Sequence, residues 1–182
     1  MRCVWCDSEY TFTGGETFSL EDVLGQVRDF GCNLVEVTGG EPLAQKEAFT
    51  LIERLCTDGY EVLVETGGYF PTEDVDPRAK IILDVKCPDS GEESRNHWAN
   101  LEHLRPDKDE VKFVIASLKD WQYALDIIQR YELDKRARVL ISPAWETIDL
   151  KQLADLISAS GLDLRMQLQL HKYIWGPEVH GV

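Results

Sequence analysis

Basic residues are scarce in this 182-residue chain: 19 Lys and Arg stand against 33 Asp and Glu, a formal net charge of -14. Such a surface repels phosphate backbones, which excludes broad nucleic-acid binding. No apolar run nears the ~18 residues of a membrane span, and Met1-Arg2-Cys3 does not open a signal peptide, so no membrane partner is expected. Cysteine is sparse and odd in number: Cys3, Cys6, Cys32, Cys56 and Cys87. That does not make a disulfide framework and points to a reduced, cytoplasmic protein. The dinucleotide fingerprint G-x-G-x-x-G is missing, as are repeats and low-complexity tracts. What is present, 43% hydrophobic residues over the length of one domain, suffices for a real core.

The chain alternates short β-branched runs with amphipathic stretches. Strands are predicted at Asn33–Thr38, Tyr60–Glu65, Lys80–Val85, Glu110–Ile115, Arg138–Ser142 and Leu164–Leu170. Ser19 and Asp22 form a capping box for a helix with Leu20, Val23, Leu24, Val27 and Phe30 on its apolar stripe, closed by Gly31. A second helix is predicted from Gln45 to Thr57. A third starts at Ser117 with Asp120 as box partner and carries Trp121, Leu125 and Ile128; a fourth starts at Thr147. The polar segment Pro88–Asp109 reads as loop with a short helix near Trp98, and its acidic run Asp107–Glu110 as a solvated face. Alternating strands and helices imply an α/β fold with a mostly parallel six-stranded sheet. Periodicity does not choose between an open doubly wound sheet and a partial barrel.

Either architecture puts its site at the C-terminal strand ends. Those ends are polar or glycine-rich: Thr38-Gly39-Gly40-Glu41-Pro42, Glu65-Thr66-Gly67-Gly68, Asp84-Val85-Lys86, Ser142-Pro143. In the last predicted strand Gln167, Gln169 and His171 alternate, so all three point one way. Cys3-Val4-Trp5-Cys6 places two thiolates in reach of one metal ion or cluster; alone it leaves zinc, a redox pair and chance open. In Gly39-Gly40 the backbone admits close approach of a ligand, and Pro42 restrains Glu41.

Taken in order, Cys6-Asp7-Ser8, Thr38-Gly39-Gly40-Glu41-Pro42-Leu43, Glu65-Thr66-Gly67-Gly68, Asp84-Val85-Lys86-Cys87-Pro88, Val111-Lys112-Phe113, Leu140-Ile141-Ser142-Pro143 and Gln167-Leu168-Gln169-Leu170-His171-Lys172 resemble the radical S-adenosylmethionine (SAM) superfamily and, within it, the 7-carboxy-7-deazaguanine synthases. The resemblance covers essentially the whole chain, residues 1–182, as one radical SAM-like domain. It implies an incomplete (β/α) barrel and a lyase that converts 6-carboxy-5,6,7,8-tetrahydropterin to 7-carboxy-7-deazaguanine with loss of ammonia, for queuosine and related 7-deazapurines. It implies a [4Fe-4S] cluster, SAM and Mg2+, a reductant such as flavodoxin or ferredoxin, and a homodimer.

By position, the resemblance makes Cys3 and Cys6 the second and third cluster cysteines and Ser8 the Mg2+ ligand. Thr38 matches a substrate contact. Gly40 and Glu41, then Asp84, Val85 and Lys86, then Gln169, His171 and Lys172 match SAM contacts. The family's first cysteine, in C-x-x-x-C-x-x-C, would lie two positions before Met1, so the chain is expected to be N-terminally shortened. Cys32 and Cys56, at helix ends, read as small core residues. Cys87 lies near the rim but on a different strand from the cluster loop. His97, His103 and His180 read as surface residues. Trp5 and Tyr10 could stack on a ring or simply pack. Lys112 could face inward or snorkel. Two rival readings share the early motifs: a radical SAM activase of a glycyl-radical enzyme, and an inactive homologue serving as an interaction module.

Overall fold

The computed structural model describes residues 1–179; His180, expected at the surface, lies outside the described residues. Six strands, β1 Leu34–Val37, β2 Glu61–Thr66, β3 Lys80–Val85, β4 Glu110–Ile115, β5 Arg138–Pro143 and β6 Leu164–Met166, pair in sequence order and all in parallel. Right-handed crossovers that always step the same way put every helix on one side of the sheet. A sheet that never reverses its order has no doubly wound switch point. It curls around its free face, and because β1 and β6 are not paired the barrel stays incomplete.

The helices are α1 Leu20–Phe30, α2 Lys46–Thr57, α3 Leu118–Tyr131, α4 Leu133–Arg136, α5 Leu150–Ala159 and α6 Leu170–Ile174. The predicted box at α1 is closed on both sides, with Asp22 N–H donating to Ser19 Oγ (3.2 Å) and Ser19 N–H to Asp22 Oδ2 (3.3 Å). Gly31 ends it in the left-handed region. At α3 the box is only half built. Ser117 Oγ accepts the Asp120 N–H, but the Asp120 carboxylate turns away to accept from Ala116 N–H (3.0 Å) and Asp89 N–H (2.9 Å). At α5 the cap is Asp149 and not Thr147, whose hydroxyl donates back to Ala144 O (3.0 Å). Between β3 and β4 run short 3-10 turns, including Trp98–Leu101, as the polar composition predicts.

Alternation along each strand sorts the side chains. Val64, Leu83, Val111, Phe113 and Ile141 face the helices and meet Ile52, Leu55, Ile128 and Leu153 in the core. The opposite, concave face carries charge. At its foot Glu110 is met by Lys80 (2.9 Å), Arg138 (3.7 Å) and Arg165 (3.6 Å). This overturns the reading of Asp107–Glu110 as solvated, since Asp109 is 1% and Glu110 5% exposed. Asp109 accepts Ile81 N–H (2.8 Å) where the β3–β4 ladder begins, and grips the Arg105 guanidinium at 2.8 Å through both oxygens.

Two further expectations change. β6 stops at Met166, short of Leu170. Gln167 N–H still reaches Ile141 O (2.9 Å), but Leu168 to Leu170 turn, and α6 follows. Cys32 is exposed, because the chain leaves the core after Gly31; Cys56 is partly buried against the core.

Candidate functional site

A cavity of about 570 Å³ opens at the C-terminal ends of the strands. The loops after β1, β2, β3 and β6, with residues of β4 and β5 and the opening loop, wall it. Of the residues singled out from sequence, Cys3, Cys6, Ser8, Thr38, Gly40, Glu41, Asp84, Val85, Lys86, Gln169 and His171 line it. Gln169 and His171 do so from the turn and helix after β6, in place of strand alternation. Trp5 and the buried Cys87 line it too, whereas Tyr10, His97 and His103 do not.

The opening loop is tied down by its backbone. Cys6 N–H donates to Cys3 O (3.1 Å), Val4 N–H to Ser90 O (3.1 Å) and Arg2 N–H to Glu92 (2.8 Å). Both thiols therefore share one wall. Burial pushes the Cys3 thiol up, with Lys86 pulling the other way.

Glu41 works within the chain. Its carboxylate accepts from Leu43 N–H (3.1 Å), Thr66 Oγ1 (2.8 Å) and Gly67 N–H (2.9 Å), which staples the β1 rim to the β2 rim. Gly68, at φ 76°, lets the β2 loop pass close: a Cβ there would stand 2.9 Å from Asp84 O.

At the β3 rim Lys86 Nζ meets Asp84 Oδ2 at 2.7 Å, both side chains largely buried. Burial alone would lower the Lys86 pKa; the adjoining carboxylate more than reverses this and holds it above the ordinary lysine value. Asn96, unnoticed in the sequence, locks the rim backbone by accepting from Lys86 N–H and donating to Lys86 O, each at 2.9 Å. Asp84 Oδ1 is buried and has no donor among the described residues. Lys112 settles inward, on the cavity wall, paired with Glu65.

Lys172 is the one predicted site residue that does not line the cavity. Its side chain, 6% exposed, meets Asp7 Oδ2 at 3.0 Å behind the wall, and its Nζ lies 5.8 Å from the Trp145 ring centre. Gln169 Nε2 donates to the same Asp7 oxygen (2.8 Å), and Ser8 Oγ to Asp7 Oδ1 (3.1 Å). Burial opposes ionisation of Asp7, but these donors hold its carboxyl below the usual range. Asp7 thus clasps the opening loop to the last one; its place between Cys6 and Ser8 was the only hint in the sequence. Lys172→Met is expected to cost about 1–2 kcal/mol, less than for a fully buried pair because Asp7 is 37% exposed. Thermal or urea unfolding measures it, and a wild-type midpoint would show that the clasp carries no weight.

The residues present can be tested against an iron–sulfur cluster and SAM. A cubane that keeps one iron open for another ligand takes three thiolates. Cys3 and Cys6 fit two of them. Among the described residues no group of three Cys, His, Asp or Glu assembles around a metal position. Cys87 is a poor substitute, for burial first, and Asp120 and Asp84 next, push its thiol well up. SAM offers an ammonium, ribose hydroxyls and an adenine amine, and the unpartnered Asp84 Oδ1 is an acceptor suited to such donors. Ser8 Oγ beside Asp7 suits a Mg2+ that keeps several waters.

The chain is similar to known proteins along its whole length. The radical SAM superfamily profile matches residues 1–88. The 7-carboxy-7-deazaguanine synthase of Koribacter versatilis is 40% identical over 197 residues, covering 100% of this chain and 87% of that one. The synthase of Chlorobaculum tepidum is 38% identical, covering 99% and 83%, and that of Thermoplasma acidophilum 35%, covering 100% and 86%. Among solved structures, QueE from Escherichia coli superposes with a TM-score of 0.67 at 20% identity, over 92% of this chain and 79% of that one. Streptococcus suis SuiB bound to S-adenosylmethionine gives 0.61 at 15% identity, over 92% and 44%. These last two likenesses bear on the fold. No helix among the described residues is long and apolar enough to cross a membrane.

Proposed function

Because the chain belongs to the 7-carboxy-7-deazaguanine synthase family of the radical SAM superfamily, we propose that its rim cavity performs that family's reaction. The protein is a carbon–nitrogen lyase that converts 6-carboxy-5,6,7,8-tetrahydropterin to 7-carboxy-7-deazaguanine and ammonia, in the service of queuosine and related 7-deazapurines. The single observation that carries the reading is the cavity itself, where the cysteine pair, the Gly-Gly-Glu-Pro turn and the buried, donor-less Asp84 oxygen meet. A [4Fe-4S] cluster and SAM, when bound, supply a carbon radical able to take hydrogen from the pterin.

The chain's own residues bind and orient. Cys3 and Cys6 would supply two thiolates to the cluster. Asp84 would accept from SAM, with Lys86 fixing its other oxygen. Gly40, the 84–86 strand end, Gln169 and His171, which line the same cavity, would contact SAM as well. Glu41 and Lys172 act one step back, by fixing the loops that carry these groups. Thr38 contacts the pterin, and Ser8 contributes a hard oxygen to Mg2+. The whole chain acts as one radical SAM-like domain, in the cytoplasm and as a homodimer, with a flavodoxin or ferredoxin as reductant.

The test is anaerobic loading with iron and sulfide of the chain extended so that a third cysteine completes C-x-x-x-C-x-x-C with Cys3 and Cys6, followed by incubation with reductant, SAM, Mg2+ and the pterin. The expected result is 7-carboxy-7-deazaguanine and ammonia in equal amounts. A fully loaded cluster with SAM cleavage and no pterin product would reject the assignment.

A further inference from the structure

One ion pair on the cavity wall has no role among the residues assigned above. Lys112 of β4 is in register with Asp84 of β3, and Glu65 of β2 with Ile82 of that same strand. Lys112 Nζ nevertheless meets Glu65 Oε1, so the pair crosses β3 diagonally over the concave face, between the levels of Ile82 and Asp84. Both residues line the cavity, and their side chains stay 17% and 31% exposed. Thr38, matched to the pterin, follows the Val37–Val64 register and so stands beside Glu65; Asp84, matched to SAM, stands beside Lys112. The pair thus lies between the two ends of the site. Glu65 Oε1 is the one hydrogen-bond acceptor of Lys112 Nζ among the described residues, which leaves two of its three protons for a ligand. Burial alone would lower the Lys112 pKa, but Asp84 and Glu65 more than reverse this and keep it protonated.

We propose that Lys112 and Glu65 are the acid and base of ammonia loss, Lys112 protonating the departing amine while Glu65 takes a proton from the neighbouring ring carbon. This rests on the pterin reading of the cavity. The stoichiometry sets the requirement. A tetrahydropterin has saturated ring carbons, and its product is an aromatic pyrrole one nitrogen poorer. Once the ring has contracted, the remaining change is an elimination. The C–N bond breaks with its electron pair leaving on nitrogen, and an adjacent C–H bond breaks with its pair becoming the new C=C bond. Lys112 gives one proton to nitrogen and Glu65 receives one from carbon, so ammonia departs neutral and no electrons enter or leave. The pair then stands as amine and carboxylic acid in contact. The proton returns from Glu65 to Lys112 across their hydrogen bond, which resets the wall without help from solvent.

The experiment uses the chain completed with the third cluster cysteine and loaded anaerobically, and it follows pterin consumption and ammonia release separately. In wild type the two keep pace. Lys112→Met and the isosteric Glu65→Gln are expected to release ammonia about 100-fold more slowly, the scale of a general acid or base, while pterin is still consumed and a ring-contracted isomer that retains its amine accumulates. Lys112→Arg separates chemistry from structure. A guanidinium keeps the charge and the bond to Glu65 but does not give up its proton, so this variant is expected to be as slow as Lys112→Met. Melting curves, and fluorescence titration with 6-carboxypterin expected within about threefold of wild type, show that each pocket is intact. Wild-type ammonia release in Lys112→Arg would reduce the pair to a structural tie, and loss of 6-carboxypterin binding in every variant would make it a substrate clamp. Either result overturns the proposal, as does wild-type release in Lys112→Met or Glu65→Gln. A wild-type chain that cleaves SAM and consumes no pterin rejects the pterin reading itself.

Discussion

Asp109→Ala is expected to cost about 3–5 kcal/mol of folding stability, the scale for removing one member of a buried charged pair. The carboxylate is wholly covered, and four groups depend on it: Ile81 N–H at 2.8 Å, Arg105 N–H at 3.0 Å, and two guanidinium nitrogens of Arg105 at 2.8 Å. Arg105 in turn donates to Pro77 O and Ala79 O, so the loop entering β3 loses its anchor as well. Asp109→Asn keeps one acceptor and should lose about half as much. The exposed neighbour Asp107 serves as control, with Asp107→Ala expected within about 0.5 kcal/mol of wild type. Urea denaturation distinguishes the three. An Asp109→Ala midpoint no lower than that of the control would show that the buried carboxylate does not hold the ladder start.

The second large effect is on the cofactor. Asp84→Ala is expected to weaken SAM binding about 10–100-fold, the value of a hydrogen bond to a charged group. It removes the acceptor that no donor among the described residues satisfies and strands Lys86, whose side chain is only 14% exposed. Asp84→Asn preserves shape and should fall between. Isothermal titration with SAM on the three-cysteine, cluster-loaded chain measures the change, and a melting curve separates it from the cost of an unpaired Lys86. Undiminished SAM affinity in Asp84→Ala would move the cofactor elsewhere in the cavity.

Local chemistry explains which parts of this structure could be read in advance. β3 and β4 match their predicted limits because long β-branched runs meet clear turn residues at both ends. The α1 cap works as written because both of its members are free of other duties. Asp120 offers the same pattern but is recruited by Asp89 and Ala116, and nothing local in the sequence records that demand. The same is true of β6. Its alternation reads on to Leu170, yet the chain bends after Met166 and Gln169 binds Asp7, 162 residues away. Most of the predicted site residues reach one cavity because strand ends in a parallel sheet share a rim. Lys172 was legible as a member of the site but not as a support behind it, since its partner Asp7 lies at the other end of the chain.

The sheet has two free long edges among the described residues, and the Asp7 clasp joins the opening loop to the one after β6 at the cavity end. Mechanically this is a split cylinder pinned at its top. Opening motions of the seam are resisted at the pin and largest at the far end, where the charges gathered around Glu110 tie β3, β4, β5 and β6 but leave β1 and β2 free. Breathing of the fold is therefore directed away from the two thiols and Asp84, whose spacing the chemistry requires to stay constant.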